Sequence, residues 1–300
     1  LFSAPRTAAT GDLGWAHDVP ATLFPLPGGF VGGDLVAFLY GCDAALRTSH
    51  AARLYLDLGT NGEIALAAGE RIYATAAAAG PAFEGGNLTC GMAAQEGAIS
   101  GVALAEGRVR LTTIGNGRPC GICGSGVLEA VAELLTNGVL DRTGRLLSPV
   151  EIPSNLANRV EEIGGEPAFI FYRDARGAVY LTQGDIRQVQ LAKAAVRSGV
   201  EVLCERAGIA AAQIAAVALT GSFGARLTAE SLKMNGILTQ NMVKVTGFVE
   251  EGALRGTERA LTAPRGMAEV TALAAGIRVV PLSGTPLFEK HFFAQMDFPA

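Results

Sequence analysis

Residues 54–67, LYLDLGTNGEIALA, contain two apolar runs that are separated by a short turn rich in glycine. The runs Leu54–Leu58 and Glu63–Ala67 have the length and composition of β-strands. Two such strands joined by an Asn-Gly turn are typical of a hairpin. Arg71–Ala77 comes soon afterwards and predicts a third strand. Asp57 therefore lies at the end of a buried strand, directly before the turn.

Outside this hairpin, predicted strands and helices follow one another along the chain. Further strands are expected at Ile99–Ala105, Arg108–Ile114 and Ala215–Thr220, together with a hairpin from Phe169 to Leu181 that resembles an insertion. Helices are expected at Leu35–Tyr40, Val127–Asn137 and Asp185–Ala207, with a final helix at Met267–Gly276. This order predicts an α/β fold, in which ligands collect at the carboxyl ends of strands and the amino ends of helices.

The composition restricts the class of protein. Of the 300 residues 49% are hydrophobic, and the formal net charge is −4. This mild acidity, without a long Lys/Arg run, argues against nucleic acid as the main partner. No apolar stretch reaches the roughly 18 residues that a membrane span needs, so no membrane partner is expected. The five cysteines do not suggest a secreted disulfide framework, and a cytoplasmic location is expected.

The turn after Asp57 has the composition of a phosphate-binding loop. Gly59 and Gly62 permit positive φ angles and let backbone N–H groups point inward at an anion, while Thr60 and Asn61 add side-chain donors. Asp57 could bind Mg²⁺ through water or orient an attacking water. The alternative is an ordinary hairpin turn that Asp57 merely caps. The acidic residue, the Gly-Thr pair and both apolar strands occur together, which favours phosphate.

Two further glycine-rich segments border predicted elements. Gly124-Ser125-Gly126 runs directly into a helix, whose free N–H groups and positive dipole end suit an anion. Gly221-Ser222-Phe223-Gly224 follows a strand, and its glycines allow a flat ring to approach the backbone. Tight packing of a helix start and a plain strand-to-helix turn are equally good explanations of these two segments on local grounds.

Gln190 and Lys193 lie three residues apart and therefore on one face of the longest predicted helix. Lys193 could reach a phosphate or a ribose, although a solvated surface lysine is the commoner outcome.

Cys120 and Cys123 form a CxxC pair without a second pair or a histidine at ligand spacing, so a metal or redox role is not favoured. Glu84, in the segment GPAFEGGN, could be catalytic, contact a partner or be a simple turn acid.

Five segments in order resemble one known family. They are DLGTNGEIAL (57–66), AAAAGPAFEGGNLTCGM (76–92), GICGSGVLEAVAELL (121–135), QGDIRQVQLAKAAV (183–196) and LTGSFG (219–224). Together they resemble the C-terminal domain of the reductive activators of corrinoid proteins. These are iron–sulfur proteins of the acetate and sugar kinase, heat-shock chaperone and actin superfamily. The resemblance extends from about Gly28 to the end of the chain.

The resemblance implies a fold and an activity. The fold would be one half of an RNase H-like ATPase of the actin and sugar-kinase type, with a mixed sheet, flanking helices and inserted β-hairpins. ATP with Mg²⁺ would drive an uphill electron transfer onto the Co(II) corrinoid of a methyltransferase system's corrinoid protein. The electrons would come from a [2Fe–2S] cluster in a preceding domain, and a homodimeric parent is a further expectation.

The resemblance also implies roles for particular residues. Asp57 to Gly62 would be the second phosphate loop, with Asp57 as the catalytic residue and a water-mediated Mg²⁺ contact. Gly124, Ser125 and Gly126 would lie near the ribose. Gln190 and Lys193 would lie near the adenosine. Gly221, Ser222, Phe223 and Gly224 would lie on the adenine side.

The sequence departs from the family pattern in several places. Nothing before Asp57 fits the first phosphate loop, the ferredoxin-like domain is absent, and the chain does not start with Met. A C-terminal fragment is therefore expected, with residues 1–50 as a lead-in from the preceding half. Residues 51–300 would be the ATP-binding domain, with a hairpin insertion at about 141–182. Thr246–Gly252 replaces a usual Gly-Asn-Ala stretch, which puts a ligand contact there in doubt, and Cys120 is also unlike the usual residue.

Two other classes of function stay open on the sequence. One is a small-molecule kinase of the same superfamily, which would need a substrate cleft with a catalytic base. The other is a nucleotide-dependent partner-binding module without turnover. The full-length parent is expected to be the ATPase, and this chain alone need not be active.

Overall fold

The computed structural model of the chain describes Phe2 and residues 4–42, 51–221 and 227–299. Ser222, Phe223 and Gly224, which were predicted to lie on the adenine side, fall outside these residues. Among the described residues, none of the helices combines the length and the apolar composition that a membrane crossing requires.

Fourteen strands lie within the described residues. In chain order they are β1 (Arg6–Ala9), β2 (Pro20–Leu23), β3 (Ala52–Leu58), β4 (Gly62–Ala68), β5 (Arg71–Ala77), β6 (Ala98–Ala105), β7 (Arg108–Thr113), β8 (Gly121–Ile122), β9 (Val160–Ile163), β10 (Glu166–Asp174), β11 (Gly177–Thr182), β12 (Ile214–Gly221), β13 (Thr246–Phe248) and β14 (Ile277–Val279).

Eight α-helices lie in the same part of the chain. They are α1 (Gly33–Gly41), α2 (Gly124–Thr136), α3 (Gln183–Ala207), α4 (Ala229–Met234), α5 (Gln240–Val243), α6 (Gly252–Thr262), α7 (Gly266–Gly276) and α8 (Pro286–Ala294).

The central sheet has six strands in the order β13-β12-β3-β4-β5-β14. The strands β3, β4 and β5 are antiparallel neighbours, which confirms the predicted hairpin and the third strand. The strand β12 pairs in parallel with β3, and its last residues Thr220 and Gly221 lie opposite Asp57 and Leu58. The ends of β3 and β12 therefore meet at one edge, beside the hairpin turn.

Both faces of this sheet are buried. Leu54 and Leu56 of β3 belong to the core cluster that includes Val196 of α3, whereas Tyr55, between them, packs in a second cluster with Phe38 of α1. Alternate residues of a strand point to opposite faces, so one strand contributes to both cores. The helix α3 begins with a capping box between Thr182 and Asp185.

The chain leaves the central sheet after β5 and returns with α3. In between lie the sheets β7-β6-β8 and β11-β10-β9 and the helix α2. Glu129 and Glu133 of α2 accept hydrogen bonds at 3.1 and 2.8 Å from the backbone N–H groups of Val102 and Leu104 in β6. The predicted strand pairs in this region are confirmed as β6–β7 and β10–β11. The expected domain division at residue 51 stays a prediction.

The last part of the chain differs from the prediction. The helix predicted at Met267–Gly276 is present as α7, but it is not final, because α8 follows it. The helix α6 was not predicted, since glycine disfavours helix interiors. Gly256 is required there by packing: a Cβ at this position would lie 1.7 Å from the carbonyl oxygen of Ala37 in α1.

Candidate functional site

An open pocket of about 390 Å³ lies at the edge where β3 and β12 end. The hairpin turn from Asp57 to Asn61 forms one wall, and Thr220 and Gly221 at the end of β12 form another. The start of α6, from Glu251 to Leu254, closes a third side. Asp34, Glu63 and Glu84 complete the lining. The structure thus brings the predicted phosphate turn and the predicted adenine-side Gly221 together at one site.

The glycines of the turn act differently from the prediction. Neither Gly59 nor Gly62 has a positive φ angle, so the expected left-handed conformation is wrong. The turn is closed by a hydrogen bond of 3.0 Å from the N–H of Gly59 to the carbonyl oxygen of Asn61. Gly62 is required by packing, because a Cβ there would lie 2.7 Å from Cγ2 of Val196 in α3. The helix α3 therefore supports the turn from behind.

Two neighbouring carboxylates, those of Asp57 and Glu63, line this pocket. Asp57 and Glu63 are cross-strand partners in β3 and β4, and like charges directly opposite each other repel. Burial, with the charge of Asp34 added, raises the pKa of Asp57 to about 6. Burial again, with the charges of Asp34 and Asp57, raises the pKa of Glu63 to about 7. The site holds more negative charge than its surroundings stabilise.

This charge fits a hydrated divalent cation. No Lys or Arg lies in the described part of the lining, so a phosphate alone would be repelled. The described residues contain no group of three His, Cys, Asp or Glu side chains placed to hold a metal ion together. Mg²⁺ prefers carboxylate oxygens and keeps several of its waters. Asp57 and Glu63 are therefore suited to bind hydrated Mg²⁺ through its water ligands.

The amino end of α6 adds positive character to the same pocket. Gly252 donates its N–H to Oγ1 of Thr220 at 3.1 Å, which fixes the helix to the end of β12. Glu251, before it, has a φ of +48°, a left-handed conformation that few glutamates adopt. Ala253 and Leu254 follow in the lining. The free N–H groups of a helix start suit an anion such as a phosphate.

Sequence reasoning missed several residues of this lining. Glu63 could have been found, because residues equally distant from a hairpin turn face the same side, and Asp57 was already named. Asp34 and the α6 residues could not, because only the tertiary packing of α1 and α6 places them here. Residues 246–252 were noted only as a departure from the family pattern.

The predicted ribose contacts Gly124, Ser125 and Gly126 are buried and do not line the pocket. The hydroxyl of Ser125 donates to the carbonyl oxygen of Ser100 at 3.1 Å. A Cβ at Gly124 would lie 1.7 Å from the carbonyl oxygen of Phe83, and one at Gly126 2.2 Å from that of Ile99. Close packing explains both glycines, and a contact with ribose stays a prediction.

Gln190 and Lys193 are buried beneath the C-terminal segment 296–298. The Nε2 atom of Gln190 donates to the carbonyl oxygens of Thr143 at 3.0 Å and Met296 at 3.1 Å. Lys193 donates to the carbonyl oxygen of Asp297, lies 5.0 Å from the ring centre of Phe298 and is 1% exposed. Burial lowers its pKa to about 8. The alternative that Lys193 is a solvated surface lysine is therefore wrong, and its contact with adenosine stays a prediction.

Gly221 is the one predicted adenine-side residue that the described part of the chain contains. Its φ of 141° is rarely adopted by other residues, so the end of β12 requires glycine.

The two cysteines of the CxxC pair, Cys120 and Cys123, lie in different surroundings. Cys120 is exposed, with its sulfur 3.9 Å from that of Met92, whereas Cys123 is buried with its sulfur 3.4 Å from the carbonyl oxygen of Ile99.

A mixed sheet buried on both faces, with a hairpin turn and a helix start around an acidic pocket, is the core of an ASKHA-type α/β fold. Comparison with solved structures supports this class. A structure described as the reductive activator for corrinoid, iron–sulfur protein matches with a TM-score of 0.83 and 29% sequence identity. The match covers 92% of this chain and 44% of that one.

The sequence model described as the C-terminal domain of RACo, the ASKHA domain, matches residues 51–300, and the chain belongs to this family. The resemblance found in the sequence is thereby confirmed.

Two relatives are named for an action on corrinoid proteins or for corrinoid activation. The corrinoid activation enzyme RamQ of Eubacterium limosum is 35% identical over 224 residues, which are 72% of this chain and 37% of RamQ. The [Co(II) methylated amine-specific corrinoid protein] reductase of Methanosarcina barkeri is 25% identical over 240 residues, 73% of this chain and 40% of the reductase. The chain thus spans less than half the length of these relatives.

Proposed function

We propose that this chain is the nucleotide-binding domain of an ATP-dependent protein that reductively activates a corrinoid protein. One observation carries the proposal. The predicted phosphate turn, Gly221 and the amino end of α6 line one pocket whose carboxylates fit hydrated Mg²⁺. The relatives' names supply the substrate class, since each relative acts on a corrinoid protein or is named for corrinoid activation.

Each side of the pocket has a distinct task in this proposal. Asp57 and Glu63 would hold hydrated Mg²⁺, which would supply charge neutralisation for the phosphates. The hydroxyl of Thr60, the amide of Asn61 and the N–H groups of Ala253 and Leu254 at the start of α6 donate to phosphate oxygens. Asp57, at the end of β3, also orients the water that attacks the terminal phosphate. Gly221 leaves room for the flat adenine ring.

The nucleotide cycle is coupled to the partner in the following way. Binding of ATP, and then its hydrolysis, changes the fit of the domain to the corrinoid protein. The released free energy drives an electron from a [2Fe–2S] domain of the parent onto Co(II). A homodimeric parent and a cytoplasmic location belong to the same proposal.

Titration with Mg·ATP in a calorimeter tests this function, first with the full-length protein and then with this chain. Binding by the full-length protein is expected, with ATP-dependent reduction of a corrinoid protein. Asp57→Ala should lower turnover at least about a hundredfold. Glu162→Ala, which replaces an exposed acid in β9, is the matched control and should retain turnover. No binding by either protein would refute the proposal, and phosphate transfer to an added sugar or acid would assign a kinase instead. Binding without hydrolysis would indicate a partner-binding module.

A further inference from the structure

Glu84 is a pocket carboxylate to which the proposed function gives no task. Its carboxylate accepts a hydrogen bond from the hydroxyl of Thr60 in the phosphate turn. One of its oxygens, Oε1, lies 3.7 Å from the position that a Cβ at Gly59 would take. Glu84 therefore contacts the turn at Thr60, one of its proposed phosphate donors, and lies beside Gly59.

The backbone of Glu84 is held in place by the region between β5 and α3. Phe83, beside it, is 1% exposed, and its carbonyl oxygen is 1.7 Å from where a Cβ at Gly124 would lie, at the start of α2. A Cβ at Gly91 would lie 1.9 Å from the carbonyl oxygen of Gly85. Side chains larger than glycine do not fit these contacts. The loop from Pro81 to Gly91 thus connects the phosphate turn to α2 as a tightly packed unit.

A hydroxyl group has one hydrogen to donate. When a phosphate oxygen takes the hydrogen of Thr60, the bond to Glu84 must break, and the two negative groups then repel each other. We propose that Glu84 is a positioning residue that holds the Thr60 hydroxyl in the nucleotide-free site and releases it when phosphate binds. The occupancy of the turn is thereby transmitted through the 81–91 loop to α2. This inference rests on the proposed function for its phosphate ligand.

Calorimetry on the full-length protein tests the competition. Glu84→Ala removes the competing acceptor and is expected to tighten Mg·ATP binding about three- to tenfold, the net value of one ordinary hydrogen bond. The melting temperature without nucleotide should fall in the same variant. A purely structural role for Glu84 would lower stability and weaken binding, so the opposite directions separate the two. Glu162→Ala should change neither quantity.

A second pair of variants separates the hydroxyl from the charge. In a Thr60→Val background there is no hydroxyl to release, so Glu84→Ala should gain less than half as much affinity as in the wild type. In a Thr60→Ser background, which keeps the hydroxyl, the full gain should return. Hydrogen exchange of residues 83–91 and 124–128 should respond to Mg·ATP in the wild type and lose that response in Glu84→Ala.

The outcomes are distinguishable. Unchanged or weaker binding by Glu84→Ala, in a protein that binds Mg·ATP, overturns the role of Glu84 and leaves the proposed function standing. An equal gain in the Thr60→Val background overturns the competition for the hydroxyl. Absence of Mg·ATP binding by every variant, with the wild type included, overturns both proposals.

Discussion

Two regions of the molecule carry polar residues of the same family pattern, but one region is an open pocket and the other is a buried helix face. The turn from Asp57 to Asn61 lines an open pocket in which Asp57 and Glu63 have raised pKa values. The α3 face with Gln190 and Lys193 is closed, and backbone carbonyl oxygens accept the hydrogen bonds of both residues. Unneutralised charge is expected where a ligand binds, whereas satisfied polar groups are expected where a segment is held.

The pocket residues should therefore serve function and the α3-face residues should serve stability. Substitutions in the pocket should change nucleotide chemistry with little loss of stability. Substitutions on the α3 face should lower stability with little effect on nucleotide chemistry. Three predictions test this, beginning with the largest effect.

Asp57→Ala in the full-length protein should lower ATP turnover by about 10²- to 10⁴-fold, because it removes the group that orients water. Lys193→Met, which keeps the length of the buried side chain, should leave turnover within about threefold of the wild type. Release of inorganic phosphate at saturating Mg·ATP measures both. Similar losses in the two variants would show that the α3 face belongs to the catalytic site.

Lys193→Ala should destabilise the chain by about 2–4 kcal/mol, since it leaves a cavity and deprives the carbonyl oxygen of Asp297 of its donor. Asp57→Asn should be neutral or stabilising by about 1 kcal/mol, because it relieves repulsion between the half-buried carboxylates of Asp57 and Glu63. Urea unfolding without nucleotide or Mg²⁺ gives both values. A stable Lys193→Ala variant would mean that the C-terminal segment does not depend on this lysine.

The pH dependence of stability should have opposite signs in the two regions. The folded-state pKa values of Asp57 and Glu63, about 6 and 7, lie above their ordinary values of 3.8 and 4.5, so the folded state binds more protons. The pocket contribution to stability is therefore lost as pH rises from about 4 to 7, on the order of 1–3 kcal/mol. The pKa of Lys193, about 8, lies below its ordinary 10.5, so its contribution rises with pH between those values.

Urea unfolding at a series of pH values measures these slopes. Asp57→Asn should flatten the slope at acidic pH, and Lys193→Met the slope at alkaline pH. Millimolar Mg²⁺ should stabilise the chain more at pH 8 than at pH 5, because the pocket carboxylates are then ionised. Equal stabilisation at both pH values would contradict a cation site at these carboxylates.

Local patterns predicted eight of the fourteen strands in the described residues, β3 to β7 and β10 to β12, because their signals lie within a few residues. The two apolar runs in residues 54–67 and the turn between them are sufficient for the hairpin, and the apolar spacing of α3 is regular over its length. The helix α6 has no such signal, because Gly252 and Gly256 lower its local propensity. Packing of Gly256 against Ala37 compensates for that cost, and this contact joins residues far apart in the sequence.

The candidate site was predictable only in part for the same reason. The turn and Gly221 were found because each is a local motif at a strand end, and β12 pairs beside β3. Asp34 reaches the pocket from α1, and no local pattern distinguishes it from a helix-start acid. The burial of Lys193 depends on Asp297 and Phe298, about a hundred residues later. A helix face alone could not reveal that partner.

A crystal structure of the full-length protein with Mg²⁺ and a non-hydrolysable ATP analogue would show whether phosphates bind at the turn between β3 and β4. We expect phosphate oxygens within hydrogen-bond distance of Thr60 and Asn61, and hydrated Mg²⁺ beside Asp57 and Glu63. It also predicts that the Thr60 hydroxyl no longer donates to Glu84. Phosphates bound against Lys193, with the 57–61 turn unoccupied, would contradict it.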